Sequence, residues 1–557
     1  MENYPWYNSY PAGVPKEINP DHYKSILDLF EECVEKYADL TAYVNMGASL
    51  TYRELDQESK KFAAYLQNVG GLERGDRVAI QMPNLLQFPI ALFGVLRAGM
   101  VAVNTNPLYT SREMAHQFAD SGAKAVVILT NFACNLEKIL AETSIELVIT
   151  TELGDLLGGI KGHIVNFVVK KVKKMVPPFN LPAAIPFKQV LKEGKRYVYH
   201  RPEVNGGDLA FLQYTGGTTG VSKGAMLTHR NMVSNMEQNG GWMGVDLVDG
   251  EEVIITALPL YHIFALTVNC LTMMKKGAKN ILITNPRDMP AFVKELKKHP
   301  FSVITGVNTL FNGLLNQQAF RSLDFGKLKF AVGGGMAVQD TVALEWKRVT
   351  GKSLAEGYGL TETSPVLSCN PLNGSEVLGT IGLPFPSTEI KLIDEDGQVV
   401  ALGEIGEICA RGPQVMKGYW QRPEETANVF MVDWLKTGDM GTMDDKGFFR
   451  IVDRKKEMIN VSGFNVYPNE IENVIAMMDG VLEVGVIGVP DQRSTEAVKA
   501  FIVRKNESIT ENEIMEHCKE NMTGYKVPKF IEFREELPKS NVGKILRRLL
   551  KEGELAD

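Results

Sequence analysis

The hydrophobic pattern in the first half of the chain alternates between short apolar runs and longer amphipathic segments. The apolar runs are typical of buried strands in a parallel sheet, and they read VAIQM (78–82), AVVIL (125–129), LVIT (147–150), VIITALP (253–259) and FSVITGV (301–307). Residues 51–69 predict a helix, because an initial Thr and a Glu three residues on form a capping box before apolar residues at helical spacing. Strands alternating with helices predict an α/β fold with a large N-terminal domain of stacked αβα sheets.

The pattern changes after residue 375. From 375 to 452, Gly and Pro are frequent and the strands are short and alternating, which predicts a small β-rich subdomain. The charged run DRKKE (453–457) follows and predicts a polar hinge. Residues 458–557 mix strands with helices, as in a small α+β domain. The predicted organisation is a large N-terminal domain (1–452), a hinge and a C-terminal domain.

Two long uncharged stretches, 78–96 and 253–274, raise the question of a membrane span. Both contain Pro and hydrogen-bonding side chains, so each is better interpreted as a buried strand, a turn and a buried helix. The N-terminus lacks a basic region followed by an apolar run, so no signal peptide is expected.

The composition is that of an ordinary globular enzyme. In 557 residues there are 60 Lys+Arg and 67 Asp+Glu, a net charge of −7, and 44% of the residues are hydrophobic. This balance argues against a nucleic-acid partner. Six scattered cysteines and eight separated histidines lack the spacing of a zinc site or a disulfide framework, which favours a cytoplasmic location.

One segment departs from the acidic average. Between residues 156 and 192 there are seven lysines and no acidic residue. Within it the predicted apolar helix face consists of Val165, Val168, Val169, Val172 and Val176, with lysines on the other side. This pattern predicts peripheral contact of 161–176 with an anionic membrane, on the inner face of the cell membrane. A solvated surface helix or a subunit contact fits the pattern equally well, and a homodimer stays open.

The most informative motif is YTGGTTGVSKG (214–224), directly after the apolar run DLAFLQ. Small residues allow several backbone N–H groups to face one anion, and hydroxyl groups and a lysine add donors and charge. The motif predicts a phosphate-binding loop. It is not a Walker A sequence, because Ser222 precedes Lys223 and Gly224 follows it.

Four further segments follow in order: GYGLTE (357–362), WLKTGD (434–439), DRKKEMI (453–459) and PKSNVGKILRR (538–548). Each alone is a weak signal. Together with the loop at 214–224, their order and spacing resemble the adenylate-forming superfamily of acyl-CoA synthetases, amino-acid adenylation domains and luciferases. Longer stretches such as GPQVMKGYWQRPEE (412–425) are similar to the bacterial long-chain fatty-acid–CoA ligases within it.

The resemblance implies a ligase that converts ATP and a long-chain fatty acid to an acyl-adenylate and pyrophosphate, and then lets the thiol of CoA displace AMP. It implies Mg²⁺ as a cofactor, with ATP and CoA as co-substrates. It also implies that residues 1–452 bind the acid and ATP and that the C-terminal domain is a mobile lid.

The resemblance further implies roles for individual residues. The residues that would hold the phosphates are Thr215, Gly216, Gly217, Thr218, Thr219, Gly220 and Lys223. Around the nucleoside, the implied residues are Tyr358 on one face of adenine, Gly333, Gly334 and Gly335 on the other, Asp439 at the ribose and Arg454 at the ribose or phosphate. Thr361 would contact the α-phosphate, and Glu362 would ligate Mg²⁺, together with Thr218.

The remaining roles concern the acid and CoA. Lys544 would bridge the attacking carboxylate and the α-phosphate, and His262 would lie near that carboxylate, unless it is a packed core histidine. The residues expected to line the acyl tunnel are Thr305, Gly306, Val307 and Met336. Lys456 matches the hinge position, and Ser462 and Gly463 would face the pantetheine of CoA.

Three alternatives remain open at this point. The chain could activate an aryl or medium-chain acid, it could be an amino-acid adenylation module, or it could be a non-catalytic lipid carrier at the membrane. The preferred chain length and the residues that close the acyl tunnel are not encoded in any motif.

Overall fold

The computed structural model of the protein describes residues 4–215, 222–462, 464–491, 493–505, 509–540 and 543–554. In these residues the chain forms two large, mainly parallel sheets, a small antiparallel sheet and a C-terminal α+β unit. The predicted α/β class, with large N-terminal sheets and a smaller C-terminal α+β domain, is confirmed.

The first 250 residues contribute one complete sheet and the edge of another. Their strands are β1 (Thr41–Asn45), β2 (Ala48–Thr51), β3 (Arg77–Gln81), β4 (Val101–Asn104), β5 (Ala123–Leu129), β6 (Leu147–Thr151), β7 (Ile185–Pro186), β8 (Leu209–Thr215) and β9 (Lys223–Thr228). Their helices are α1 (Ile26–Lys36), α2 (Tyr52–Asn68), α3 (Gln87–Arg97), α4 (Ser111–Ser121), α5 (Ala133–Glu137), α6 (Gly159–Phe167), α7 (Phe187–Gly194) and α8 (His229–Met243). Short 3₁₀ turns lie at Pro5–Asn8, Thr130–Phe132 and Leu140–Glu142, and a π-helical turn, Val168–Val172, extends α6.

The next segment completes the second large sheet. Its strands are β10 (Val253–Thr256), β11 (Lys279–Leu282), β12 (Val303–Gly306), β13 (Phe330–Gly333), β14 (Leu354–Gly359), β15 (Val366–Cys369) and β16 (Leu383–Pro384). Its helices are α9 (Met273–Lys275), α10 (Met289–Lys298), α11 (Asn308–Leu315), α12 (Gln318–Arg321) and α13 (Asp340–Thr350), with a π-helix at Ala265–Thr272 and a 3₁₀ turn at Thr361–Thr363.

The last third carries the two smaller sheets. The antiparallel sheet consists of β17 (Glu389–Ile393), β18 (Gly406–Arg411), β19 (Phe430–Met431), β20 (Trp434–Met443) and β21 (Phe449–Arg454), with α14 (Pro423–Val429) beside it. The C-terminal elements are β22 (Ile459–Val461), β23 (Phe464–Val466), α15 (Pro468–Ala476), β24 (Val481–Asp491), β25 (Thr495–Arg504), α16 (Glu511–Asn521), β26 (Phe530–Arg534) and α17 (Arg547–Glu554), with a 3₁₀ turn at Gly524–Lys526.

The apolar runs form the interior of the two large sheets, as predicted. One sheet has the order β7-β6-β5-β3-β4-β8-β9 and the other β16-β15-β14-β13-β12-β10-β11-β1-β2. VAIQM, AVVIL and LVIT lie in β3, β5 and β6, which are parallel neighbours. The strand β9 was not anticipated: it pairs antiparallel with β8, so Thr215 and Lys223, which lie on either side of the undescribed part of the phosphate-loop motif, are neighbours. The helix α8 begins after Thr228, whose side chain caps it.

The helices α2 and α3 pack against each other closely. The capping box predicted at the start of α2 is present at Thr51 and Glu54. A Cβ at Gly94 of α3 would lie only 2.6 Å from the Phe62 ring, so the glycine allows this approach. Every residue of α3 is buried, and its one charged residue, Arg97, binds Asp56 at 2.6 Å.

This burial explains the uncharged stretch 78–96 as a strand followed by an interior helix. Among the described residues, no helix is both long enough and apolar enough to cross a membrane.

The C-terminal domain has its own apolar core and docks onto α11 of the N-terminal domain. The hydroxyl of Thr309 donates to the carbonyl oxygen of Gly543 at 3.1 Å, and the amide of Asn312 donates to the carbonyl oxygen of Leu482 at 3.3 Å. These contacts place the loop that carries Lys544 over the end of the large sheet.

Candidate active site

A cavity of 1410 Å³ lies where the large N-terminal sheets, the antiparallel sheet and the C-terminal domain meet. All three parts of the chain contribute to its wall, for example Tyr358 from β14, Lys436 from β20 and Lys544 from the C-terminal domain. Side chains from distant parts of the sequence therefore face one space.

One end of the cavity is the hairpin of β8 and β9. Thr215 ends β8, Lys223 begins β9, and the two residues are paired and line the cavity. The ammonium of Lys223 lies 2.5 Å from a carboxylate oxygen of Glu425 and 5.0 Å from the centre of the Tyr419 ring. The predicted phosphate ligands Gly216, Gly217, Thr218, Thr219 and Gly220 lie outside the described residues.

Next to the hairpin lies a hydrogen-bonded triad. The hydroxyl of Tyr358 donates to Asp439 at 2.6 Å, and Nε of Arg454 contacts the other carboxylate oxygen of Asp439 at 3.2 Å. The pairing of Asp439 with Arg454 across β20 and β21 fixes this arrangement. Burial opposes the charge of Arg454, yet the Asp439 and Glu457 carboxylates together raise the pKa of its guanidinium above its ordinary value. The triad thus presents a ring, an acceptor and a cation side by side, which suit the base, the ribose hydroxyls and a phosphate of a nucleotide.

The glycine turn after β13 approaches this triad. Gly334 and Gly335 line the cavity, whereas Gly333 is the last residue of the strand. A Cβ at Gly334 would lie 3.1 Å from both the carbonyl oxygen of Gly357 and the Phe264 ring, and Gly335 has a φ of +76°. Both positions favour glycine, because the backbone passes close to its neighbours and enters the left-handed region.

Glu362 lies in the 3₁₀ turn after Tyr358, together with Thr361, and both line the cavity. The hydroxyl of Tyr419 donates to one carboxylate oxygen of Glu362 at 2.7 Å. The second oxygen can therefore serve another ligand. Tyr419 was missed by the motif analysis, although it lies within the stretch GPQVMKGYWQRPEE that carries the resemblance.

Lys544 enters the cavity from the C-terminal domain, at the tip of a tight turn. The backbone N–H of Ser540 donates to the carbonyl oxygen of Lys544 at 2.7 Å, and the N–H of Lys544 donates to the Ser540 hydroxyl at 3.1 Å. Burial, followed by the charge of Arg454, lowers the pKa of the Lys544 ammonium to about 8. The group therefore stays mainly charged at pH 7.

His262 lies opposite, and the positive charge of Lys544 acts on it. Burial and then that charge lower the pKa of His262 to about 4, so the ring is neutral at pH 7. The backbone N–H of Phe264 donates to Nδ1 at 3.3 Å, which leaves the proton on Nε2. A neutral Nε2–H can donate to a carboxylate without adding charge.

The four residues expected in the acyl tunnel do not share one location. Val307 lines the cavity. Thr305 is fully buried and donates its hydroxyl to Asn269 at 2.9 Å, and Gly306 faces Leu310 and Phe311. Met336 packs half-buried against the main core. Five apolar residues, together called the apolar branch, also line the cavity: Trp242, Met243, Val268, Cys369 and Phe385.

The expected hinge residue and the described one of the two expected CoA residues differ in position. Lys456 lines the cavity, whereas Ser462 is exposed in the turn between β22 and β23 and does not line it. Gly463 lies outside the described residues. In this orientation the C-terminal domain directs Lys544, and not the turn at Ser462, toward the cavity.

Comparison with known proteins accounts for nearly the whole chain. The model of the AMP-binding enzyme family matches residues 30–420, and the model of the AMP-binding enzyme C-terminal domain matches residues 470–544. A long-chain-fatty-acid–CoA ligase of Escherichia coli O157:H7 is 58% identical over 547 residues, which cover 98% of each chain. One from Bacillus subtilis is 38% identical over 555 residues, covering 99% of this chain and 98% of its own.

The similarity extends to a solved structure. The crystal structure of ATP-bound MatB from Rhodopseudomonas palustris superposes with a TM-score of 0.82 at 29% identity, covering 95% of this chain and 99% of that one. The chain therefore belongs to the AMP-binding enzyme family, and within it to the long-chain-fatty-acid–CoA ligases.

Proposed function

We propose that the protein joins a long-chain fatty acid to CoA at the expense of ATP, through an acyl-adenylate. The observation that carries this proposal is the meeting of Lys544 with Tyr358, Glu362 and an apolar branch in one cavity. A nucleotide, a cation for the reacting centre and a slot for a hydrocarbon chain then share one space. The relatives named as long-chain-fatty-acid–CoA ligases support the same activity.

The first half-reaction activates the acid. A carboxylate oxygen attacks the α-phosphorus, the bond to the β-phosphate oxygen breaks, and pyrophosphate leaves. Little covalent chemistry is asked of the protein, so its contribution is positioning and charge stabilisation. Lys544 would bridge the attacking carboxylate and the α-phosphate. Thr361 would donate to that phosphate, and Nε2–H of His262 would orient the carboxylate.

The nucleoside would bind at the triad. Adenine would lie between the Tyr358 ring and the turn at Gly334 and Gly335, and Asp439 would accept hydrogen bonds from the ribose hydroxyls. Arg454, whose positive charge is maintained by Asp439, would lie at the ribose or phosphate side. Lys223 would move from Glu425 to the phosphates when these displace its carboxylate partner.

The residues present fit Mg²⁺. The ion is usually held by one or two carboxylates together with substrate phosphates, and Glu362 offers one such oxygen beside the phosphate end. We propose Glu362 as its protein ligand, with Thr218 as a second. When bound, Mg²⁺ would neutralise charge on the phosphates.

The second half-reaction transfers the acyl group. The sulfur of CoA attacks the carbonyl carbon, the bond to the AMP oxygen breaks, and the thiol proton is lost to solvent. Ser462 and Gly463 would face the pantetheine only after the C-terminal domain has rotated about Lys456 and withdrawn Lys544. Ser462 does not line the cavity in the present orientation, which supports such a rotation.

An acid series tests the proposed activity. Purified protein with ATP, Mg²⁺ and CoA is given octanoate, myristate, palmitate, oleate or benzoate, and the thioester product is measured by mass. We expect thioester and AMP in equal amounts, with the long acids preferred. Product from benzoate alone would assign the chain to aryl acids. AMP without any thioester would exclude the ligase.

A hinge variant tests the domain rotation. Proline fixes φ near −65°, so Lys456→Pro would hold the hinge in one state. We expect acid-dependent ATP–pyrophosphate exchange to be kept, and thioester formation from supplied oleoyl-adenylate and CoA to slow at least about tenfold, the effect of ~1.4 kcal/mol. Lys456→Ala, with its backbone free, is the matched control. Equal loss of both half-reactions in the proline variant would refute the hinge role.

We also propose that residues 159–176 contact an anionic membrane. The structure presents a different apolar face from the valine face expected from the sequence, because Val165, Val168 and Val169 are half-buried. The large apolar side chains exposed here are Ile160 (78%), Ile164 (55%), Phe167 (62%), Val172 (64%) and Met175 (54%). Exposed lysines surround them, so the segment can bury an apolar strip while its charges meet lipid headgroups.

Vesicle sedimentation tests this contact. The triple variant Ile160→Ser, Ile164→Ser and Phe167→Ser should bind vesicles of phosphatidylglycerol about a hundredfold more weakly, because each lost side chain contributes ~1 kcal/mol. Leu344→Ser removes an equally exposed apolar residue of α13 and should bind normally. If the triple variant binds normally, the proposal fails. A shift from dimer to monomer in light scattering would assign the face to a subunit contact instead.

A further inference from the structure

The N-terminal residues 4–18 form a strap over the β-rich side of the large domain, outside both family-model matches. This N-terminal strap is held at both ends of the stretch. The backbone N–H of Ile18 donates to the Ser387 hydroxyl at 2.9 Å, and the N–H of Ser387 donates to the carbonyl oxygen of Lys16 at 3.0 Å. The hydroxyl of Tyr4 binds Glu389. The nucleotide site does not use any of these residues.

The apolar branch of the cavity ends close to the strap. Gly359 pairs with Val366 near the phosphate end, and Gly357 pairs with Cys369 farther from it along the same strands. The indole N–H of Trp242 donates to the carbonyl oxygen of Asn370 at 3.2 Å, one residue beyond Cys369. Trp242 therefore lies on the side of the branch away from the phosphate end, and this side is called the floor.

The floor is supported from behind by Tyr10 of the strap. The Tyr10 ring meets the Trp242 ring edge-on, with centroids 5.3 Å apart and an angle of 88°. Its hydroxyl donates to the carbonyl oxygen of Pro384 at 2.6 Å, next to Phe385. Phe385 lines the branch and packs on Trp242 at 5.2 Å. Tyr10 thus closes a small aromatic cluster whose inner surface faces the branch.

The cluster leaves the indole little freedom. Trp242 is 4% exposed, and it has Phe385 on one side, Tyr10 behind it and a hydrogen bond at its nitrogen. Tyr10 is itself backed by Tyr7, whose ring lies 5.4 Å away at 82°. A hydrocarbon chain that reached the floor would have to displace a buried, hydrogen-bonded ring, and close-packed interiors resist such changes.

We propose that the N-terminal strap, through Tyr10, holds Trp242 in place as the floor of the acyl branch and so sets the longest acid that is activated. Trp242 is the residue that meets the chain end, and Tyr10 positions it. This inference rests on the proposed function, because it assumes that the apolar branch holds the acyl chain.

The test compares acids that reach the floor with acids that do not. We measure kcat/KM for thioester formation with octanoate, palmitate and docosanoate. Trp242→Ala should raise the ratio of docosanoate to palmitate at least tenfold, since each extra buried methylene is worth about fourfold in kcat/KM. Octanoate should be used at the wild-type rate. Tyr10→Ala should shift the same ratio in the same direction by about threefold, the effect of one ring contact of ~0.7 kcal/mol.

Two matched variants separate position from general damage. Tyr10→Phe keeps the ring but loses the bond to Pro384, and it should keep the wild-type ratio. Val432→Ala truncates an apolar side chain that is 95% exposed and lies outside the strap, and it should also keep the ratio. If Trp242→Ala does not fold, the ratio of docosanoate to palmitate is measured in Trp242→Leu and Tyr10→Ala. A wild-type rate with octanoate then shows that the active site is intact.

The outcomes are distinct. A ratio unchanged in Trp242→Ala or Trp242→Leu, or a uniform loss at every length, overturns the inference while the wild-type enzyme stays active. Failure of the proposed function would be seen in the wild-type protein itself, as no thioester with any of the acids.

Discussion

Lys544→Ala is expected to lower acid-dependent ATP–pyrophosphate exchange about 10²–10³-fold, the usual effect of losing one group that stabilises transition-state charge. Lys544 lines the cavity together with the residues proposed for the nucleotide, and its turn is fixed by Ser540 and by Thr309 of the N-terminal domain. The cation is therefore preorganised where negative charge would grow. Radioactive pyrophosphate exchange into ATP measures the effect, and a melting curve checks that the fold is kept.

The control is Lys519→Ala, which removes an exposed lysine of α16 that pairs with Glu516 in its own helix. It should leave exchange unchanged.

The charge of Lys544 also predicts a pH profile. Because the pKa of the ammonium in the free protein is about 8, kcat/KM for exchange should fall as the pH rises through that value. Exchange at the wild-type level in Lys544→Ala would refute the role assigned to this residue.

Much of the fold was predicted from local sequence patterns, because hydrogen bonds and side-chain spacing within one segment determine these elements. The α2 helix carries its own capping box and an apolar stripe, so neither needs tertiary information. The apolar runs at β3, β5 and β6 are too short and too continuous to be anything but interior strands beside helices. The motif residues Tyr358, Glu362 and Lys544 do meet, since each belongs to a segment whose order resembles one family.

Features that depend on distant segments could not be predicted. The floor of the apolar branch brings together residues 10, 242 and 385, and no periodicity links them. Thr305 and Gly306 were expected in the acyl tunnel, but they do not line the cavity: Thr305 bonds Asn269, and Gly306 lies against Phe311. On α6, the valine face satisfies helical spacing equally well, and only packing against the domain decides which apolar face remains exposed.

The sequence motifs assigned no role to Arg547, although it lies three residues after Lys544. Its guanidinium is surrounded by acidic groups: it contacts Glu472 at 2.7 Å and Asp453 at 3.3 Å, and it also binds Glu457 and Asn469. Burial raises the pKa of the Glu472 and Asp453 carboxyls. One guanidinium of charge +1 thus serves three carboxyl groups, and for Glu472 and Asp453 the effect of burial on the pKa exceeds the opposing effect of Arg547.

The contact with Asp453 differs from the others. Asp453 begins the predicted hinge and belongs to β21, whereas Glu472, Asn469 and Arg547 belong to the C-terminal domain. A rotation about Lys456 would keep the pairs within that domain and would alter the pair with Asp453. If the domain rotates as proposed, this pair would stabilise the orientation in which Lys544 faces the cavity.

Arg547→Lys is accordingly expected to reduce exchange about ten- to a hundredfold. A lysine keeps the charge but has no planar fork to serve several carboxylates at once, and a hydrogen bond to a charged group contributes about 1.5–3 kcal/mol. Thioester formation from supplied oleoyl-adenylate and CoA should fall less than about threefold, a difference under ~0.7 kcal/mol, because it does not need Lys544 in the cavity. This profile is the reverse of the one expected for Lys456→Pro.

Two further variants decide what Arg547 does. Asp453→Asn weakens the pair that crosses the hinge and should reproduce the selective loss of exchange. Glu472→Gln weakens a pair inside the C-terminal domain and should affect both half-reactions alike. Arg547→Lys and Asp453→Asn could instead lower both half-reactions equally and lower the melting temperature. In that case Arg547 stabilises the C-terminal domain and does not select its orientation. A selective loss of exchange at the wild-type melting temperature would instead assign the balance between the two half-reactions to the contacts of Asp453 with the C-terminal domain. These are the ion pair with Arg547 and a hydrogen bond from the N–H of Asn469 at 2.8 Å.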